Sequence, residues 1–126
     1  MLRQKDVLKT FHHLIAQLFY NLISNGLKFR KPNIQPEIKI SWKVVPEAAD
    51  PQKQLLEISF EDNGVGFDEQ YADKLFHIFQ KMSTHTTGTG IGLATSKKIC
   101  TLHGGTLTAK SKGADGSIFI ATVSTR

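Results

Sequence analysis

The feature that most constrains the fold is a glycine-rich segment, Thr87-Gly-Thr-Gly-Ile-Gly-Leu93, that runs directly into an apolar helical pattern. Glycines with free N–H groups at a helix N-terminus bind anions, because unpaired donors and the positive end of the helix dipole coincide there. A Rossmann dinucleotide motif requires an apolar strand before its glycines, whereas residues 81–87 (KMSTHTT) are polar. A Walker-type loop requires a lysine after its last glycine, which is absent. The segment therefore predicts an anion site in some other nucleotide-binding fold.

A second feature is a narrow polar stripe on the first predicted helix, residues 10–29. At about 100° per residue, five polar side chains fall within a stripe about 100° wide, on a helix that is otherwise almost wholly apolar from residue 14 onward. They are Gln17, Asn21, Ser24, Asn25 and Lys28. The stripe has two interpretations: a polar edge beside a buried helix, or the floor of a binding site. In a site, amide oxygens could ligate Mg²⁺ and the ammonium could contact phosphate.

The third feature is Asp62-Asn-Gly-Val-Gly66, which follows a short apolar run at residues 55–60. A lone DxGxG pattern is weakly specific, since aspartate and glycine are common in turns. The carboxylate could accept a hydrogen bond from the exocyclic amine of adenine, and glycines would let a flat base approach the backbone. Guanine has an acceptor at the equivalent position, so the same carboxylate would select against it.

The order of helical and strand patterns predicts the fold class. Four runs are typical of strands and pair as two hairpins: residues 37–45 with 55–60, and residues 106–111 with 117–124. Further helices are expected over residues 69–79 and 90–102. This order predicts an α+β fold, a two-layer α/β sandwich in which a mixed, mostly antiparallel sheet is covered on one face by helices.

Composition narrows the classes of protein that remain. The 126 residues suit one domain with one core, and no apolar run reaches the roughly 18 residues of a membrane span. The single cysteine, Cys100, permits no internal disulfide, and with no visible signal peptide it favours a cytoplasmic location without membrane contact. The net charge of +5 is spread along the chain, so nucleic-acid binding is not expected. The start of the chain, residues 1–7, has little pattern and suggests a fragment of a larger protein.

In this order, the motifs resemble those of the catalytic ATP-binding domains of sensor histidine kinases. These kinases belong to a superfamily that also contains gyrase, a heat-shock chaperone and mismatch-repair ATPases. The likeness covers most of the chain and rests on four boxes. Asn21-Leu-Ile-Ser-Asn-Gly-Leu-Lys-Phe29 is similar to the N box, Asp62-x-Gly-x-Gly66 to the G1 box, Leu75-Phe-His-Ile-Phe79 to the F box and Gly88-Thr-Gly-Ile-Gly-Leu93 to the G2 box. The sequence after the F box looks most like the phytochrome-type kinases. The resemblance implies the Bergerat ATP-binding fold.

The resemblance also implies roles at the matched positions. Asn25 would ligate Mg²⁺, Asn21 would line the same site one turn earlier, and Lys28 would contact phosphate; these three would carry the catalytic role. Phe29 would pack near the adenine of ATP, and Asp62 would read its amine. The other expected nucleotide-binding residues, whose glycines would form the phosphate cradle and hinge of an ATP lid over residues 81–88, are Gly64, Gly66, Phe79, Lys81, Thr87, Gly88, Thr89, Gly90, Ile91, Gly92 and Leu93.

The expected activity is transfer of the γ-phosphoryl group of ATP to a histidine on a separate helical dimerisation domain, and from there to a response regulator. Hydrolysing members of the superfamily resemble one another in placing a glutamate at the position of Asn21. An amide cannot take a proton from water, so fast hydrolysis is not expected. His12 and His13 lack the acidic and proline neighbours typical of the phosphoacceptor. A serine kinase of the anti-sigma type and a nucleotide-binding module without catalysis are the alternatives.

Some positions depart from the family pattern. Gly26 stands where the family usually has alanine, which should cost the helix about 1 kcal/mol. Lys81 replaces the arginine often found after the F box, so any phosphate contact there would be a point charge rather than a fork. The residues before the N box are too few for the family's full set of strands, so part of the sheet edge is expected to be missing.

Overall fold

The fold is an antiparallel sheet with α-helices packed against it. It comes from a computed structural model that describes residues 4–77 and 92–124, with side chains from residue 12 onward. The elements in chain order are α1 (Gln4–Lys28), β1 (Ile38–Pro46), β2 (Gln54–Asp62), α2 (Gly92–Leu102), β3 (Leu107–Ser111) and β4 (Ser117–Ser124). Within these ranges no helix is long and apolar enough to span a bilayer. The predicted α+β architecture is confirmed.

The sheet has the strand order β1-β2-β4-β3. Both predicted hairpins, β1 with β2 and β3 with β4, are present, and β2 and β4 pair in the middle of the sheet. Each of these pairings is antiparallel, so the parallel component expected of a mixed sheet is not seen among the described strands. The register sets Asp62, the last residue of β2, directly opposite Ser117, the first residue of β4.

The core lies between the sheet and the helices. Alternate residues of β4 are buried, as the period of a half-buried strand requires, and they pack with buried residues of β2, α1 and α2. The principal members are Leu18, Leu22, Ile58, Phe60, Ile99, Cys100, Phe119, Ala121 and Val123. Burying each large apolar side chain stabilises the fold by about 1.5–3 kcal/mol. Burial also raises the pKa of Cys100 to about 11, so its thiol is a packing group.

One predicted helix boundary and one predicted helix are wrong. The first helix begins at Gln4 rather than near residue 10, because the intervening residues include neither glycine nor proline to interrupt it. The helix predicted over residues 69–79 is instead two 3₁₀ turns, Glu69–Tyr71 and Lys74–Phe76, and residues 78 and 79 lie outside the described part of the chain. The tighter turns let the adjacent side chains of Leu75 and Phe76 both enter the core.

Candidate nucleotide-binding site

The carboxylate of Asp62 ends β2 and is held by three hydrogen bonds. Its Oδ1 accepts from the backbone N–H of Gly64 at 2.9 Å and of Ser117 at 3.3 Å. Its Oδ2 accepts from the Ser117 hydroxyl at 2.7 Å. The residue is only 7% exposed, and these donors replace the water that a buried carboxylate would otherwise lose. The site therefore has a fixed carboxylate with one oxygen fully engaged and the other bound by a single hydroxyl.

The loop after Asp62 is wedged between α1 and the β3–β4 turn. The N–H of Val65 donates to the carbonyl oxygen of Phe29 at 2.9 Å. A Cβ on Gly64 would lie 2.5 Å from that same oxygen, so only glycine fits there. Gly66 has φ +72°, and a Cβ would collide with the carbonyl oxygen of Gly113. The two glycines of the DxGxG pattern are therefore required by close backbone approach on both sides of the loop.

The polar stripe of α1 separates into groups that are engaged and groups that are open. The Asn21 amide accepts from Gln17 and donates to the carbonyl oxygen of Gly92. The Asn25 side chain is half-buried, and no hydrogen bond joins it to the rest of the described residues. Lys28 is exposed in the last turn of α1, where it also complements the negative end of the helix dipole. Among the described residues, Asn25 is thus the amide of this stripe whose side chain has no internal hydrogen-bond partner and could bind a ligand.

A cavity of about 160 Å³ opens between α1, the DxGxG loop, the 3₁₀ turns, α2 and β4. Four of the residues predicted from the sequence line it: Asn25, Phe29, Gly66 and Leu93. A pocket of aromatic and aliphatic side chains with a few convergent polar groups is the usual form of a small-molecule site.

Several predicted residues do not line the cavity. Asp62 lies behind Ser117, which does line it, and Gly64 is buried in the loop. Asn21, Lys28 and Gly92 are outside the lining. The remaining predicted residues lie outside the described residues: Phe79, Lys81, Thr87, Gly88, Thr89, Gly90 and Ile91.

Sequence reasoning missed other residues that shape the cavity. Ser117 was part of a predicted strand, yet it is the hydroxyl partner of Asp62; the pairing of β4 with β2 is the signal that could have found it. Phe67, Tyr71 and Phe119 supply aromatic faces. Nothing local in the sequence distinguishes these aromatic residues from core residues, because the cavity is made by elements distant in the chain.

A charged pair fixes the β3–β4 turn beside the site. Lys112 Nζ lies 2.8 Å from Glu61 Oε2, and this hydrogen bond and charge hold the pKa of Glu61 below its ordinary value of 4.5. The Glu69 carboxylate accepts from the backbone N–H of Ser111 at 2.8 Å and ties the first 3₁₀ turn to β3. The turn that supports Gly66 is thereby held from two directions.

The described residues include no group of three His, Cys, Asp or Glu side chains able to hold a metal ion. Mg²⁺ bound together with a nucleotide takes most of its ligands from phosphate and water, and needs only one or two protein oxygens. The open amide of Asn25 at the cavity fits that requirement.

Fold and cavity together define an α+β domain with a small-molecule pocket, and comparison with known proteins gives its family. Residues 12–126 match the family described as "Histidine kinase-, DNA gyrase B-, and HSP90-like ATPase". The chain belongs to this ATP-binding family.

The relatives similar to this chain are histidine kinases and phytochrome-like proteins. The chain is 38% identical over 111 residues to the phytochrome-like protein Cph1 of Synechocystis, covering 86% of this chain and 14% of that protein. It is 32% identical over 114 residues to the aerobic respiration control sensor protein ArcB of Escherichia coli K12, again covering 86% and 14%. The chain thus spans a small part of the length of these curated relatives.

Solved structures show the same architecture. The catalytic domain of histidine kinase ThkA superposes with a TM-score of 0.68 at 26% identity, over 89% of this chain and 67% of that one. The mycobacterial sensor histidine kinase MprB shares the fold with a TM-score of 0.75 at 19% identity, over 89% and 72%. The catalytic domain predicted from the four boxes is therefore of the histidine kinase type.

Proposed function

We propose that this chain is the Mg²⁺-dependent ATP-binding domain of a histidine kinase and presents the γ-phosphoryl group of ATP to a histidine on a separate helical domain. The observation that carries the proposal is the placement of two different polar groups around one apolar cavity. The Asp62–Ser117 pair stands at the end of the central strands, and the open amide of Asn25 stands on α1. ATP requires two such polar groups, one for its adenine base and one for its metal-bound phosphate chain.

The residues at the two ends have separate tasks in this proposal. Ser117 lines the cavity and Asp62 lies behind it, so Asp62 Oδ2 accepts the exocyclic amine of adenine when the Ser117 hydroxyl turns aside. The rings of Phe29 and Tyr71 pack around the base. Asn25 holds Mg²⁺, which when bound neutralises phosphate charge. Lys28 contacts phosphate as a flexible point charge. Positioning and electrostatics would then supply most of the catalysis, as in other phosphoryl transfers.

Transfer is favoured over hydrolysis by the chemistry of Asn21. Its amide has no basic lone pair for a water proton at neutral pH, and both ends of that amide are already hydrogen-bonded. Water near the γ-phosphate would therefore lack a base at this position. A phosphoacceptor histidine brings its own nucleophilic nitrogen and needs no such base.

The partners of the proposed activity are a helical dimerisation domain that carries the phosphoacceptor histidine and a downstream response regulator. The much greater length of the relatives supports an arrangement in which the present chain is one domain of a larger kinase. His12 and His13 are exposed on α1, which is part of the catalytic domain itself. They are not proposed as acceptors.

The test has a binding stage and a transfer stage. Calorimetry with ATP and GTP, each with Mg²⁺ and with a chelator, should show binding of ATP that strengthens with Mg²⁺ and much weaker binding of GTP. The domain is then incubated with γ-labelled ATP and the isolated phosphoacceptor domain of a phytochrome-like relative. Label on the acceptor that is stable to base and labile to acid identifies phosphohistidine and supports the proposal. If the domain binds ATP but transfers no label to this acceptor or to a panel of such acceptors, it is a nucleotide-binding module without kinase activity.

A further inference from the structure

A series of hydrogen bonds links the polar stripe of α1 to the first residue of α2. Gln17 Nε2 donates to Asn21 Oδ1 at 2.8 Å, and Asn21 Nδ2 donates to the carbonyl oxygen of Gly92 at 3.3 Å. The hydroxyl of Ser96 donates to the same carbonyl oxygen at 2.8 Å. Asn21 and Gly92 are 71 residues apart in the chain, so this contact is made by the tertiary fold. We call Gln17, Asn21 and the Gly92 carbonyl the amide relay.

The direction of the amide relay is set at one end. A side-chain amide occupies nearly the same space when its oxygen and its NH₂ group are exchanged, so only hydrogen bonding selects between the two orientations. The Gly92 carbonyl oxygen can only accept, so Asn21 must turn its NH₂ group toward it. Asn21 Oδ1 then faces Gln17, which must present its own NH₂ group. A single backbone acceptor therefore fixes both side-chain amides.

We propose that Gln17 is a positioning residue, which acts through Asn21 to hold the start of α2 in register with the part of α1 that carries Asn25. This inference rests on the proposed nucleotide site. Asn25 and Leu93, which adjoin the relay on α1 and α2, both line the cavity. The relay thus joins the turn of α1 that precedes the candidate metal ligand Asn25 to the N-terminus of α2, and phosphate would be bound between Asn25 and that N-terminus.

The relay is separate from the adenine end of the site. The Asp62–Ser117 pair is held by the β2–β4 register, and no member of the relay touches it. Loss of the relay should therefore weaken the binding of ligands that carry phosphates and leave the binding of adenosine unchanged.

The relay contributes little to the stability of the fold, so its positioning role can be tested without unfolding the domain. Gln17 is exposed and Asn21 is half-buried, so water competes for both hydrogen bonds. Cohesion between the helices comes from buried apolar residues such as Leu18, Leu22 and Ile99. Removing the relay should leave the melting temperature close to that of the wild type.

Three variants test the relay. Gln17→Glu replaces the donor with a carboxylate that only accepts; it turns the Asn21 amide around and sets Asn21 Oδ1 against the Gly92 carbonyl oxygen. Gln17→Lys keeps a donor facing Asn21 and should preserve the relay. Ala16→Glu adds the same charge as Gln17→Glu at an exposed neighbouring position on α1, and serves as the matched control.

The first readout is nuclear magnetic resonance of the free domain. Gln17→Glu should move the side-chain NH₂ signals of Asn21 and the backbone signals at the start of α2. Gln17→Lys should confine its changes to α1 and leave the start of α2 unmoved, and Ala16→Glu should leave both sets unmoved. The second readout is affinity for Mg²⁺-ATP and for adenosine. For Gln17→Glu, the dissociation constant of Mg²⁺-ATP should rise by about three- to tenfold, as for loss of a net hydrogen bond, with adenosine unaffected.

The outcomes separate the relay from the proposed function. Unchanged Asn21 and α2 signals in Gln17→Glu overturn the relay, whatever the nucleotide affinities are. Equal weakening of ATP and adenosine overturns the positioning role, because a general structural defect would produce it. If the wild-type domain binds neither ligand, the proposed function fails, and the resonance shifts alone still decide whether the relay exists.

Discussion

Replacing Asp62 by asparagine should lower the preference of the site for adenine over hypoxanthine without unfolding the domain. In the wild type, Oδ1 accepts from two backbone N–H groups, of Gly64 and Ser117. Those groups can only donate, so the oxygen of the new amide must take the Oδ1 position and the NH₂ group must take the Oδ2 position. The Ser117 hydroxyl, 2.7 Å from Oδ2, can rotate from donor to acceptor. Every internal hydrogen bond is thereby kept.

The same constraint determines what a ligand meets. Adenine presents an N–H donor. In the proposed site Oδ2 of Asp62 would accept from it, whereas the NH₂ group of the variant would oppose it with a second donor. A hydrogen bond to a charged group contributes about 1.5–3 kcal/mol, so ATP should bind roughly ten- to a hundredfold more weakly. Hypoxanthine, the base of ITP, has an oxygen in place of the amine and should gain a partner. Because hypoxanthine also carries a proton on N1, the quantity to compare is the ratio of ATP affinity to ITP affinity in variant and wild type.

The assay is calorimetric titration of both nucleotides, with thermal denaturation to verify folding. Asp73→Asn is the matched control, since Asp73 is exposed, makes no capping hydrogen bond and loses the same charge. The affinity ratio should fall in Asp62→Asn and stay constant in the control. An Asp62→Asn protein that is folded and keeps the wild-type ratio would refute the argument that this carboxylate reads the amine.

Three further substitutions have distinct expected outcomes. Asn25→Ala should lower ATP affinity in Mg²⁺ and leave it unchanged in a chelator, measured by calorimetry; equal loss in both would exclude a metal role. A Cβ on Gly26 would lie 2.9 Å from Cδ1 of Ile38, the end of a flexible side chain. Gly26→Ala should therefore stabilise the domain by up to about 1 kcal/mol, and by more when it is combined with Ile38→Val, which removes that methyl group; a double-mutant cycle of urea unfolding measures the coupling. Lys112→Met should destabilise the domain at neutral pH, because it removes the charge that lowers the pKa of Glu61 in the folded state. The difference in the free energy of unfolding between variant and wild type should disappear as the pH falls below 4.5. A difference that persists in acid would show that packing rather than charge is responsible.

The strands and the polar residues of the site were predictable where a local pattern carried the signal. Alternating polarity over residues 37–45 and the apolar run after it located the first hairpin, and the Asp115-Gly116 turn located the second. The narrow stripe on α1 contained Asn25 among five polar residues, and the resemblance to the kinase family then singled it out. Asp62 followed from its place at the end of an apolar run, and Gly64 and Gly66 from the turn after it.

Other features depend on contacts that a linear pattern does not contain. Ser117 acquires its role from a partner 55 residues earlier, through the register of two strands that are not neighbours in the chain. Tyr71 lines the cavity because a predicted helix is instead a pair of 3₁₀ turns. The wheel placed Gln17 and Asn21 on one stripe, but only the position of the Gly92 carbonyl gives their amides a direction. Sequence reasoning therefore found the residue types and missed their partners.

The hydrogen bonds of the site divide its polar groups by function. Asp62 Oδ1 and the Asn21 amide are engaged within the protein and fix the separation of its elements. The Asn25 amide has no such partner among the described residues, and Asp62 Oδ2 has only a hydroxyl that can turn away. A ligand gains most from groups of the second kind, because binding to them breaks at most the one hydrogen bond from the Ser117 hydroxyl. Substitutions at open groups should therefore reduce affinity alone, whereas those at engaged groups should also displace the helices or strands that they join.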